Sequence, residues 1–243
     1  MDSRRTLQCR RLALTLVAIV AIVVASLSWV AQQQASRAAP AKSAQLGLFW
    51  NDPKDGTSVE TIAATARIVS VSQGRETYRD SLRAAGYTGK VLQYMLAGEV
   101  EGPGPYANSS AACNSSYTPL HNQVADQRGD FCRYIHPNES WFVHNGAGKR
   151  LYATEGTRVK YYMNLASPGW RAFARARMVA DLQSLGYDGI FLDNVDLSRF
   201  RVTSRVNNAD GTVRELPSDA AYRDAWVGYL QVLSSSIRPG KFL

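Results

Sequence analysis

Apolar and polar positions divide the chain into a long uninterrupted apolar run followed by short, turn-bounded apolar segments. The first run, Leu12 to Ala31, is broken only by Thr15, Ser26 and Ser28, and it is long enough to cross a bilayer core as a helix. Beyond it, Gln32 to Ala44 is rich in Ala, Gln and Ser with no periodic face, which is the pattern of a linker. Short apolar segments then alternate with helical patterns. Strands are expected at Leu46–Trp50, Arg67–Val71, Lys90–Ala97, Val159–Leu165 and the apolar run Ile190–Leu192 that follows the Asp188-Gly189 turn, each stopped by turn or polar residues.

Between them, helical spacing predicts Val59–Ala66, opened by Thr57 or Ser58, and Arg75–Ala85, with Tyr78, Leu82 and Ala85 on one face. A longer helix runs from Ser167-Pro168 to Leu185, with Phe173, Ala176, Val179, Ala180 and Leu182 as its buried stripe and Arg171, Arg175 and Arg177 towards solvent. Ala220–Ile237 follows, with Tyr222, Trp226, Tyr229, Leu230 and Leu233 inward. Pro239-Gly240 then launches Lys241-Phe242-Leu243, the start of a sixth strand. Alternating strands and helices imply βαβ units and a parallel sheet. The fold class is α/β, a (β/α)₈ TIM-barrel type that stops after about six strands. A complete barrel takes about 250 residues, so roughly two βα units are wanting. The domains are residues 1–31, 32–44 and an incomplete barrel over 45–243.

Charge refines the N-terminus. Arg4, Arg5, Arg10 and Arg11 precede the apolar run and hold their side of it in the cytoplasm, sending the rest outward. Residues 1–31 are either an uncleaved signal anchor, which fits the length of the run better, or a signal peptide cut near Ser26 and Ser28 or Ala39 and Ala41. The domain is then membrane-anchored on the extracytoplasmic side, or secreted. The formal charge of +8 falls to about +5 without the leader. No basic cluster or nucleic-acid motif accompanies it, so no nucleic-acid partner is expected. Cys113 and Cys132 share a polar loop of the exported part and are the obvious disulfide pair.

Barrel chemistry gathers at the C-terminal ends of strands. Those positions hold Trp50 and Asp52, then Glu99 and Glu101, then Asn164, then Asp193, Asn194 and Asp196, with Tyr94 and Tyr162 on the strands themselves. Carboxylates, amides and aromatic rings together suit a polyhydroxylated ligand. Glycoside hydrolysis needs two carboxyl groups, of which Asp193 is the firmest and Glu99 the second candidate. Asp188 precedes its strand in an Asp-Gly turn and is structural. Trp141 and Phe142 are packing residues, and His136 and His144 have no metal-like spacing. No Cys-x-x-Cys or His-rich cluster occurs either, so no metal is expected; no Gly-rich phosphate loop follows the first strand, as a dinucleotide fold would require, and no cofactor is expected.

His136-Pro137, Trp141-Phe142, Gly148-Lys149, Tyr162-Met163-Asn164, Pro168-Gly169-Trp170 and Gly186-Tyr187-Asp188-Gly189-Ile190-Phe191-Leu192-Asp193-Asn194 occur in this order. The pattern resembles the family called hypothetical glycosyl hydrolase family 15, relatives of the endo-α-1,4-polygalactosaminidases of family 114. The resemblance spans roughly Leu46 to Leu243 and is most specific at Asp188–Asn194. It implies a (β/α)₈ barrel, an extracellular or envelope polysaccharide as substrate, and Asp193 as one catalytic carboxylate. The relatives' second acid is a glutamate after a later strand, which this sequence does not reach; either Glu99 or Glu101 substitutes, or the chain is a fragment, or the protein is inactive. The competing readings are a non-catalytic carbohydrate-binding or scaffold protein on a truncated barrel and, more weakly, a metal-dependent hydrolase using Asp193 and Asp196.

Overall fold

The computed structural model describes residues 46–49, 56–72, 74–120, 122–237 and 241. The expected membrane segment and linker, Trp50 and Asp52, and Phe242-Leu243 of the expected sixth strand lie outside these residues.

The expected parallel sheet is present. Strands β1 (Leu46–Phe49), β2 (Ala66–Ser72) and β3 (Lys90–Leu96) lie side by side. Helices α1 (Val59–Thr65) and α2 (Glu76–Ala84) connect them. Ser58 opens α1 by accepting the amide of Thr61 at 3.2 Å, which satisfies a donor the helix itself leaves unpaired. One face of the sheet buries Val69, Val71, Val91 and Met95 in a core shared with Leu82 of α2. The other face is half open, with Ile68 46% exposed.

After β3 the chain departs from a simple barrel. The segment Val159–Leu165, expected as a fourth parallel strand, belongs instead to a separate antiparallel sheet. That sheet has the order β4 (Glu99–Gly102), β6 (Arg158–Tyr162), β5 (Tyr152–Glu155). The next neighbour of β3 in the parallel sheet is β7 (Gly189–Asp193). The reason is legible in burial: β6 hides Val159 and Tyr161 on one face and Lys160 and Tyr162 on the other. A strand buried on both faces carries no periodicity that tells parallel from antiparallel pairing. Barrel closure does not appear among the described residues, where the parallel sheet has four strands.

The polar stretch between β4 and β5 is stapled as expected, by a Cys113–Cys132 disulfide with a Cα–Cα distance of 5.6 Å. It then folds into a π-helical turn at Phe131–Ile135 and a 3₁₀ turn at Glu139–Trp141. Phe142 is fully buried, and Trp141 packs on Trp170 and Phe173.

Helix α3 (Pro168–Leu185) begins at the Ser167 cap with Pro at its first turn and ends at Gly186, whose φ of 73° is the left-handed stop glycine accommodates. Its buried stripe is Trp170, Ala174, Met178 and Leu182. This corrects the expected stripe: Ala176 and Ala180 are exposed, because the row the helix presents to the core is set by Trp170, one step of four before Ala174. Arg177 is not simply solvent-facing either; it reaches Asp130 at 2.7 Å. Beyond β7 come the one-turn α4 (Phe200–Ser204) and α5 (Asp219–Ile237). Helix α5 buries Tyr222, Ala225, Trp226, Tyr229, Leu233 and Ile237 and packs against α3, where Arg171 donates to the carbonyl of Ala225 at 3.1 Å.

Candidate active site

Asp193 is the last residue of β7, where three apolar residues give way to polar ones. Its Oδ1 accepts the backbone N–H of Asn194 at 2.8 Å, and its Oδ2 accepts the hydroxyl of Tyr94 from β3. Tyr94 stands opposite Phe191 in the register, with ring centroids 6.2 Å apart. Burial, and then the Asp193 carboxylate, push the Tyr94 hydroxyl well above the usual tyrosine range, so it stays a proton donor to Asp193.

Asn194 has φ 61°, a left-handed backbone that Asn tolerates better than most residues. That turn lets its side-chain amide donate to Glu99 Oε1 at 3.2 Å. Glu99 opens β4 and pairs with Tyr162 across the antiparallel sheet. Only 3% of it is exposed, although Arg201 Nη1 of α4 stands 3.5 Å from its Oε1. Burial raises the Glu99 carboxyl above its ordinary value, outweighing the opposite pull of Lys160 and Arg201, with Glu155 and Asp193 adding to the rise. Tyr162 is likewise raised, by burial and then by Glu99.

Sequence candidates thus converge in part. Asp193, Asn194, Glu99, Tyr94 and Tyr162 share one neighbourhood. Asp196 joins it through Arg201 Nε at 2.7 Å. Asn164 sits in the turn before α3, its amide bonded to the carbonyl of Ser140 at 3.2 Å and the N–H of Ala166 at 3.1 Å. Glu101 lies two residues along β4 and accepts the hydroxyl of Tyr117 from the disulfide-stapled loop. Asp188 is at the opposite end of β7, bonded to the Val91 N–H at 2.8 Å and Arg83 at 2.6 Å. No group of three or more His, Cys, Asp or Glu suited to a metal ion occurs among the described residues.

Sequence reasoning misses Arg201 and Tyr222. Arg201 belongs to the polar excursion after β7, where only tertiary contacts reveal its partners. Tyr222 reads in the sequence as an inward residue of α5 without a role; burial pushes its hydroxyl up, and Asp196 and Glu99 add to that rise.

The excursion itself is clasped. Glu215 holds the His144 ring at 2.6 Å and its backbone N–H at 2.8 Å, and Asp210 accepts the Gly146 N–H at 2.8 Å. His144 also bonds Glu139 at 2.8 Å. Glu139 in turn takes both Nε and Nη2 of the fully buried Arg150, at 2.9 and 2.7 Å. Arg150 completes its set on His136, at Nδ1 (3.0 Å) and the carbonyl (2.8 Å). Burial alone would raise Glu139, but these hydrogen bonds bring it down to about 2. Burial would lower His144, and its two carboxylate partners raise it instead.

The model of the family described as hypothetical glycosyl hydrolase family 15 matches residues 105–243, which includes Asp193 and not Glu99. No curated protein matches the chain. Among solved structures, the glycoside hydrolase domain of PelA from Pseudomonas aeruginosa aligns at 19% identity and a TM-score of 0.44, covering 82% of this chain and 57% of that one. A variant of the same PelA domain aligns at 18% identity and 0.42, with the same coverage. A cycloisomaltooligosaccharide glucanotransferase from Paenibacillus sp., in complex with cycloisomaltoheptaose, aligns at 12% identity and 0.46, covering 79% and 29% of the two chains. The chain therefore spans little more than half the length of the PelA domains it matches.

Proposed function

Because the chain belongs to hypothetical glycosyl hydrolase family 15, we propose that it hydrolyses glycosidic bonds of an extracytoplasmic polysaccharide through Asp193 and Glu99. The observation that carries this reading is the Asn194 bridge. One residue ties both carboxyl groups, by its backbone N–H to Asp193 and by its side chain to Glu99. Two carboxyls from two different strands are thereby held at a set separation, which is what acid–base cleavage of a glycoside requires.

The roles divide by environment. Glu99 is buried and holds its proton to higher pH than an ordinary glutamate, which suits the acid that protonates the leaving oxygen. Asp193 is oriented by two donors as an acceptor, which suits the group that attacks the sugar carbon or draws a proton from water. Tyr94 and Phe191 supply a stacked aromatic pair beneath it, the kind of surface on which sugar rings rest. The disulfide is consistent with an oxidising, extracytoplasmic setting.

The test is reducing-end release from bacterial envelope and exopolysaccharide preparations by the purified protein, beside Asp193→Asn and Glu99→Gln. Each variant should lose at least about a hundredfold in kcat. Turnover equal to wild type in Asp193→Asn would refute the assignment. Glycan binding without cleavage in all three proteins would replace it with a carbohydrate-binding role.

A further inference from the structure

We propose that Arg201 is the positioning residue for Glu99, its guanidinium spanning Glu99 and Asp196 so that the acid is fixed at the mouth of the site. This rests on the reading of Glu99 above. The geometry is asymmetric. Arg201 Nε binds Asp196 at 2.7 Å, and Nη1 stands 3.5 Å from Glu99 Oε1. Asp196 is thus the anchor, and Glu99 the group the anchored fork is held against.

Glu99 is faced by Lys160 and Tyr162 from β6, Glu155 from β5, Asp193 from β7, Arg201 from α4 and Tyr222 from α5. Two of these are cations. Lys160 has the larger pull on the Glu99 charge but is itself engaged with Glu155 at 2.7 Å, and among the described residues Arg201 is the cation paired with Glu99. A buried carboxyl without a neighbouring cation holds its proton tightly; one beside a guanidinium releases it at lower pH. A general acid must do both, once in each direction, over a catalytic cycle. Arg201 supplies the release without touching the sugar.

Its placement comes from the fold. Helix α4 is one turn long, and Arg199 at its start donates its backbone N–H to Asp219, the first residue of α5, at 2.9 Å. The far end of the excursion is clasped by Glu215 and Asp210. An arginine on a free loop would lose rotamer entropy on each encounter with Glu99; here the backbone carrying it is fixed at both ends.

The test uses the full chain with ¹³C-labelled glutamate carboxyls, the Glu99 signal being assigned by its loss in Glu99→Gln. Arg201→Gln should raise the Glu99 titration midpoint by about one pH unit or more, since an opposite charge at this distance is removed. The alkaline limb of the kcat profile should move up with it. Arg201→Lys keeps the charge and loses the fork, so it should hold the midpoint within about half a unit and lower kcat about tenfold with KM unchanged. An unmoved midpoint in Arg201→Gln overturns the proposal. If Arg201→Gln does not fold, wild-type kcat in Arg201→Lys overturns it. A midpoint that moves while the alkaline limb stays put supports the hold of Arg201 on Glu99 and refutes Glu99 as the acid.

Discussion

Arg150→Met isolates the ionic cluster that clasps the excursion after β7. The arginine is fully buried, and its guanidinium lies 3.7 Å from the Phe142 ring centroid, so methionine keeps the packing of the stem while removing the charge. Breaking a buried ion pair by deleting one partner costs about 3–5 kcal/mol. Glu139 here is one-third exposed, and water softens that loss. The expected destabilisation is therefore about 2–3 kcal/mol, or a fall in Tm of about 5–10 °C for a domain of this size.

The pH dependence has a definite sign. His144 is raised, so its stabilising share is complete below its ordinary value near 6.5 and is lost as pH climbs through the folded value. Glu139 is depressed, so its share is present above its ordinary value of 4.5 and is lost as pH falls towards about 2. The cluster should contribute most between those two ordinary values, and the wild type should soften above neutrality. Removing Arg150 also removes part of what depresses Glu139, so in the variant the acid-side loss should be smaller and end at higher pH, closer to the ordinary value. Urea denaturation at pH 5.5 and pH 8, for wild type and Arg150→Met, measures the destabilisation and the alkaline softening, and a third series at pH 4 measures the acid-side loss. A difference under about 1 kcal/mol at pH 5.5 would show that the cluster is an exposed ion-pair network in effect and refute the reasoning.

Two further outcomes test other elements. Asn194→Gly keeps the left-handed backbone and removes the amide on Glu99, so stability should hold within about 0.5 kcal/mol while kcat falls about tenfold; Asn194→Ala should show the same fall and lose a further ~1 kcal/mol to backbone strain, as denaturation and kinetics on the pair will measure. Cys113→Ser with Cys132→Ser opens a loop whose ends are 19 residues apart and should cost about 3 kcal/mol, read as a lower urea midpoint and new protease cuts between residues 103 and 131.

What can be read from sequence follows how local each signal is. Helix α3 begins and ends where its Ser167 cap, Pro168 and Gly186 place it, because capping is decided by neighbours in the chain. The parallel strands and the strand-end position of Asp193 follow from short apolar runs closed by turns. The disulfide follows from two cysteines in one exported loop. Strand β4, by contrast, is four residues with two glutamates, and nothing local distinguishes Glu-Val-Glu-Gly from a solvated loop. It is a strand because Tyr162, Tyr161, Lys160 and Val159 stand opposite it, from about sixty residues further along. Arg201 is illegible for the same reason. Its partners lie 5 residues away at Asp196 and about a hundred away at Glu99, and the second is visible only once two sheets are in place.

The step from β3 to β4 has a wider consequence. Asp193 rides on the parallel sheet and Glu99 on the antiparallel one, and the two sheets meet at Ala97-Gly98. There a Cβ on residue 98 would come within 3.1 Å of Trp226, so helix α5 presses on the joint itself. On the proposed mechanism, the gap between the carboxyls is then a hinge angle and not a strand spacing. Retaining and inverting glycosidases differ in that gap by only about 1–4 Å. A bulkier or smaller side chain in place of Trp226, remote from any sugar, could shift the joint by a comparable amount. Stereochemical outcome in this architecture would be inherited through packing on a helix, and could drift there while every reacting group stayed the same.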